Sequence, residues 1–344
     1  MTHVPNYRII RDNPLTREIF EKRMSIIRDI RRFFWNLNFT ETDTPILVNL
    51  PGMEPYLDVF KTQFEPMSGI GEARDMYLIT SPEYAMKKLL VAGFENIFQI
   101  TRSFRNKETG GALHNPEFTI LEWYRANSDY RAIMADTEAL IRYLCIELFG
   151  ESEFVYQTNH IDVSGDFERL RVVDAFEKYA GISREIFEDT EKFIAEAREK
   201  GYKATTYDDA FFLIFLNEIE SRLGMNRPTI LYEYPVSMAA LSKACVDNPK
   251  YAERFEVYIA GIELCNAFSE LTDPFEQKKR LDAERQQRNE LGKPIYDVDM
   301  SFIHALELCM PESGGIALGV DRLIMLLLDQ PSIENVVFFP FRDL

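Results

Sequence analysis

Arg105 and Arg322 each close a run of apolar, strand-like residues, far apart in the chain. Together they would surround a polyphosphate with positive charge. Arg322 follows Gly314-Gly315-Ile316-Ala317-Leu318-Gly319-Val320-Asp321 and falls in the first turn of the last helix. A cation there is unfavourable by up to ~1 kcal/mol, and a bound anion reverses the sign of that cost. A salt bridge to a nearby carboxylate is the plainer alternative. His114 lies opposite Arg105 across a loop containing Gly110 and Gly111, where it either contacts phosphate or hydrogen-bonds within the protein.

Carboxylates supply the second chemistry. Alternation along the strand-like run 117–125 places Phe118, Ile120, Glu122 and Tyr124 on one face. A mid-strand carboxylate between aromatic residues is costly to bury without a cation. Either this is a solvated face, or Phe118 stacks a flat ring and Glu122 meets an ammonium. Along 262–271, Asn266, Phe268 and Glu270 share a face. With Glu83 and Glu122 they make three carboxylates and an amide that would repel unless they bind cations. A diamine or Mg2+ would suit. Glu256 and Glu263 are the candidates to hold Mg2+ against ATP phosphates. Strict alternation puts Glu263 opposite Asn266, so a bulge or twist near Cys265 is required to unite them.

The elements that position these residues follow from periodicity and caps. Residues 14–39 read as an amphipathic helix capped by Asn13, with Pro14 in its first turn and Phe20, Met24, Ile27, Ile30, Phe34 and Leu37 on one face. That face packs on the core or makes a dimer contact. A strand at 76–80 leads through Ser81 and Pro82 into a helix reaching about residue 91. Strands at 96–105 and 117–125 form an antiparallel hairpin, and 129–149 is helical. Residues 151–228 are polar and mixed in charge, with helix-like stretches at 172–180, 190–200 and 206–223. They read as a helical insertion in a single domain spanning 1–344. Strands at 229–234, 253–260 and 262–271, helices at 274–291 and 299–309, a strand at 315–319 and a helix at 321–329 complete the chain. Strands clustered in antiparallel order with flanking helices indicate an α+β fold.

Bulk properties exclude several classes. In 344 residues, 46% hydrophobic and 28% charged, a full core is easily buried, and no apolar run approaches a membrane span. The first residues lack the pattern of a secretory signal. Four separated cysteines, Cys145, Cys245, Cys265 and Cys309, fit reduced thiols in a cytoplasmic protein. A net charge of −17 opposes non-specific binding to nucleic acid.

These blocks resemble the three motifs of class II aminoacyl-tRNA synthetases in their lysine-specific form. The stretch ending at Pro45 resembles motif 1, Arg105 through Glu122 motif 2, and Gly315 through Arg322 motif 3. Thr80-Ser81-Pro82-Glu83-Tyr84, Arg254-Phe255-Glu256 and Gly261 through Leu271 match as well. With motif 1 beginning near residue 14, no anticodon-reading OB-fold is expected ahead of it. The chain therefore also resembles the elongation factor P lysine ligases, which attach (R)-β-lysine to a lysine of that factor.

The resemblance implies an antiparallel catalytic sheet flanked by helices, ATP and Mg2+ as cofactors, and lysine or (R)-β-lysine as substrate. It also implies elongation factor P as acceptor, no tRNA and a homodimer. Arg105 would hold the α-phosphate and His114 and Arg322 the γ-phosphate, making the two arginines the catalytic pair. Asn106, Glu108 and Phe118 would contact the nucleotide, and Glu256 and Glu263 would bind Mg2+. Glu83, Glu122, Tyr124, Asn266, Phe268 and Glu270 would bind the amino acid. Ala317 stands where the tRNA enzymes usually have glycine, and its methyl would disfavour an α-amino group by ~1–3 kcal/mol. Lys107 in place of glutamate, a motif 2 loop longer by one residue and Ala267 in place of glycine depart from the pattern. A tRNA-charging enzyme without its anticodon module, and a non-catalytic amino-acid-binding paralogue, are the alternatives.

Overall fold

The computed structural model of the chain describes residues 4–108 and 111–344, so Gly110 lies outside the described residues. The chain divides into two compact units, one running to Asp129 and resuming at Glu270–Leu344, the other Tyr130–Ser269. Each contains strands of a mostly antiparallel sheet with helices against it.

In the first unit, Asn96–Phe104 and Glu117–Ala126 form the expected antiparallel hairpin, with Gln99 opposite Glu122 and Ser103 opposite Phe118. Ser313–Gly319 extends it, placing Ala317 opposite Glu122 and Gly315 opposite Tyr124. Thr40–Glu41 pairs in parallel with Asn96–Phe104. Opposed residues share a face, so the two sides differ in chemistry. One side carries Phe98, Leu121 and Trp123, all fully buried. Phe34 from the first long helix lies 4.8 Å from Phe98 and 5.1 Å from Trp123 between ring centroids. Each such buried ring contributes ~1.5–3 kcal/mol, and a one-residue slip would turn all of them to the wrong side. The opposite side is left to Phe118, Glu122, Tyr124, Gly315 and Ala317.

That long helix is Pro14–Asn36, and Asn13 caps it by accepting from Leu15 N at 3.0 Å. Its buried face differs from the expected one. Met24 and Leu37 are exposed, and Arg23, Ile26 and Phe33 take core positions beside Phe20, Ile30 and Phe34. Arg23 is accommodated because its guanidinium meets Asp321 at 2.6 Å and donates to Thr119 Oγ1. Apolar periodicity cannot register a charged residue whose partner lies at the other end of the sequence. The unit also holds a small sheet of Leu47–Val48, Arg74–Leu78 and Lys61–Phe64. Helices Asn6–Asp12, Glu83–Val91, Pro274–Glu290, Met300–Glu307 and Val320–Leu327 also belong to it.

In the second unit, Ile262–Ser269, Tyr251–Ile259 and Thr229–Pro235 are antiparallel neighbours, and Glu168–Arg171 pairs in parallel with the last. Helical segments fall in all three expected stretches. Between 151 and 171, where no strand was expected, lie the Glu153–Tyr156 and Asn159–Asp162 hairpin and Glu168–Arg171. Phe176, Phe187, Phe193 and Phe211 form this unit's aromatic core, Phe176 lying 4.8 Å from Phe187 and 4.9 Å from Phe211. No helix among the described residues is long and apolar enough to cross a membrane.

Candidate active site

Glu122 is fully buried at mid-strand. Ser81 Oγ donates to its Oε1 at 2.6 Å and Tyr124 Oη to its Oε2 at 3.1 Å. Both partners are neutral, so burial, reinforced by the charge of Glu83, pushes the Glu122 carboxyl up to about 8. Ser81 also accepts from Glu83 N at 3.0 Å, so one hydroxyl ties the helix start to the strand. Glu83 points along its own helix to Lys87 at 2.5 Å. Lys87 Nζ also meets Glu270 at 2.5 Å, with neither the Lys87 nor the Glu270 side chain accessible to solvent. Burial opposes the ammonium, but Glu270 and Glu83 together hold its pKa above the ordinary lysine value. Glu270 is pushed up to about 8 by burial even against that neighbour.

Sequence reasoning brought Glu83, Glu122 and Glu270 together but missed Lys87, which already supplies one of the cations the cluster demands. The signal was its place four residues after Glu83 on a helix. Three carboxylates less one ammonium leave two formal negative charges when all are ionised. Glu270 Oε1 is buried with no hydrogen-bond partner. A Cβ at Gly315 would collide with that oxygen and with the Tyr124 ring, so only glycine leaves both in place. Ala317 adds a methyl on this same face, directly opposite Glu122.

The arginines stand at the far end of the same strands. The Arg105 guanidinium lies 5.1 Å above the Phe118 ring and 3.7 Å from Glu108. Arg322 NH2 lies 3.1 Å from His114 Nε2, and its Nε donates to Leu113 O at 3.4 Å. Burial and the Arg322 charge hold His114 below the ordinary histidine range, so the neutral ring accepts from the guanidinium. Both arginines and Glu108 lie within electrostatic reach of His114. The helix start at Val320 has its own anion, Asp321, which accepts from Thr119 N at 2.6 Å and pairs with Arg23. The macrodipole alone therefore does not require an anion at Arg322. Asn106 is occupied by the adjoining loop, its N–H donating to Asp58 O at 2.7 Å, and Lys107 pairs with Asp58 at 3.3 Å.

Residues 5–343 match the family model of class II tRNA synthetases of the D, K and N group. The chain belongs to this family. A lysine–tRNA ligase of Magnetococcus marinus is 38% identical over 332 residues, covering 95% of this chain and 64% of the relative. One from Thermoanaerobacter pseudethanolicus is 37% identical with the same coverage, so the chain spans about 64% of the length of these relatives. The elongation factor P–(R)-β-lysine ligase of Vibrio cholerae is 38% identical over 324 residues, covering 93% of this chain and 94% of that protein. The antiparallel strands and flanking helices agree with the class II synthetase-like α+β fold expected from the sequence.

The second unit carries the remaining family positions. Its register shifts between Val257, opposite Cys265, and Tyr258, opposite Glu263. Leu264 is thus the extra residue of a bulge. Since Glu256 pairs with Asn266 and alternates with Tyr258, the bulge turns Glu263 onto the face of Glu256 and Asn266. Arg254 donates to Glu256 Oε1 at 2.8 Å and to Asn266 at 3.0 Å, and Tyr234 and Tyr258 each donate to Glu256 Oε2 at 2.6 Å. Glu256 Oε1 retains a lone pair. The spare capacity of Glu256 Oε1, with Glu263 on the same face, fits Mg2+, which prefers one or two protein carboxylates and fills its shell with phosphate and water. Phe268 is buried on the same strand.

Proposed function

We propose that this chain is an ATP-dependent ligase that activates lysine or (R)-β-lysine as an acyl-adenylate and transfers it to a lysine side chain of elongation factor P. The observation that carries the reading is the Glu83–Lys87–Glu270 chain beside Glu122, with Lys87, Glu270 and Glu122 all fully buried. With Glu122 counted and all groups ionised, the three carboxylates less Lys87 carry two negative charges, which match the two ammoniums of a diamino acid. The likeness to the Vibrio cholerae ligase over nearly its whole length supports the acceptor.

The substrate carboxylate is ionised at pH 7 and needs no base to attack the α-phosphorus of ATP. Arg105 would neutralise charge growing on the α-phosphate as pyrophosphate leaves, with Arg322 and His114 on the terminal phosphate. Phe118 would stack the base. Rate enhancement then comes from positioning and preorganised charge. Glu256 and Glu263 would hold Mg2+, which supplies further charge neutralisation when bound. By the family likeness alone, Asn266 and Phe268 would also be assigned to the amino acid. Ala317, opposite Glu122, favours the β-amino isomer.

The test is the mass of elongation factor P after incubation with the protein, ATP and each lysine isomer. An adduct of one lysyl residue is expected, larger in yield with the β-isomer. An unmodified factor alongside charged tRNALys would favour the tRNA-charging alternative.

A further inference from the structure

A cavity of about 640 Å3 adjoins the amino-acid pocket, sharing Ser81 and Glu83 with it. Glu54 lies on its wall, and no role above uses it. Its Oε2 is buried with no hydrogen-bond partner. The carboxylate accepts from its own backbone N–H. Gly52 passes so close that a Cβ there would overlap the Glu54 carboxylate. The Glu54 backbone is fixed by Arg288, a fully buried side chain that donates to Glu54 O at 2.8 Å and Leu57 O at 2.9 Å. Glu54 also feels the charges of Glu83 and Arg105. A buried carboxylate oxygen without a donor, within electrostatic reach of Glu83 in the amino-acid pocket and of the arginine assigned to the α-phosphate, is placed to receive a proton.

We propose that Glu54 accepts the proton of the amine that attacks the acyl-adenylate, and that this amine enters through the cavity. The proposal rests on the function given above. The diamino acid's own ammoniums are matched without Glu54, which leaves this carboxylate for a second, incoming amine. The apolar wall of Leu47, Leu50, Met76 and Ile79 suits a tetramethylene chain, and the carboxylates suit its ammonium tip. The acceptor ammonium gives one proton to Glu54. The freed nitrogen lone pair forms the N–C bond to the acyl carbon. The bond from that carbon to the AMP oxygen breaks with its electron pair on AMP. The second nitrogen proton passes to water, leaving an amide, AMP and protonated Glu54. Burial raises the Glu54 carboxyl above its ordinary range, which narrows its gap to the amine.

The experiment compares the half-reactions in Glu54→Gln, with Glu54→Asp as a folded control that keeps the base. Adenylate formation is read by ATP–pyrophosphate exchange, and transfer by single turnover from preformed adenylate to elongation factor P and to n-pentylamine. Transfer to both acceptors is expected to slow at least tenfold more than exchange in Glu54→Gln, with partial recovery in Glu54→Asp. Equal losses in both half-reactions, or unimpaired transfer, would overturn the role of Glu54. Loss with elongation factor P but not with n-pentylamine would also overturn it, marking Glu54 as a docking residue. Absence of exchange in the unaltered protein would instead sink the activation reading, and this inference with it.

Discussion

Glu122 makes ligand binding report on protons. Its carboxyl sits at about 8, raised from 4.5 by burial and by Glu83. At pH 7 a group at 8 is about ten-elevenths protonated, so accepting an ammonium requires release of about 0.9 proton from Glu122 alone. Ionising it at pH 7 costs one pKa unit, about 1.4 kcal/mol, which lowers affinity for the diamino acid roughly tenfold below its limit at high pH. Glu270, also at about 8, adds a second such group, moderated by Lys87. Isothermal titration of lysine at pH 7, in buffers of differing ionisation enthalpy, should reveal release of one to two protons. Affinity should rise with pH from 6 toward 8. Glu122→Gln should lose about one released proton. No net proton release, with flat affinity across that range, would refute the assignment of a buried, ligand-ionised carboxyl.

Other outcomes follow from the same geometry. The raised carboxyls stabilise the unliganded fold fully below about pH 4.5, and this contribution is lost as pH climbs through about 8. Tm should therefore fall between pH 6 and 9, and saturating lysine should oppose the fall; a Tm that rises there contradicts the pocket. Lys87→Met leaves Glu83 and Glu270 without their cation and should cost ~3–5 kcal/mol in urea unfolding. A loss under ~1 kcal/mol would mean the pair is not buried as described. Gly315→Ala drives a methyl into Glu270 and Tyr124, so KM for the amino acid should rise with ~1–3 kcal/mol of destabilisation. Unchanged KM would show the strand gives way freely. Ala317→Gly should shift the preference toward α-lysine by about tenfold to a hundredfold; an unchanged isomer ratio removes the methyl argument.

Much of this site was legible because its signals are local. Alternation set Phe118, Glu122 and Tyr124 on one face, and Asn13-Pro14 marked a helix start. The conflict between Glu263 and Asn266 pointed to a bulge, and the extra residue is Leu264. What stayed hidden depends on partners distant in sequence. Lys87 reads as a solvated helix residue until Glu270 arrives from the far end of the chain. Arg23 displaces Met24 from the core only because Asp321 awaits it. Glu54 carries no motif, and its unpartnered carboxylate oxygen depends on the folding of the loop around it.

The central claim is that two arginines and a carboxylate pocket join ATP to a diamino acid. ATP–pyrophosphate exchange, run with (R)-β-lysine, α-lysine and norleucine on the unaltered protein and on Arg322→Ala, tests it most directly. Exchange with the two diamino acids only, abolished in a folded Arg322→Ala, is the expected result. Exchange that persists in that variant, or that norleucine supports equally well, would contradict the account.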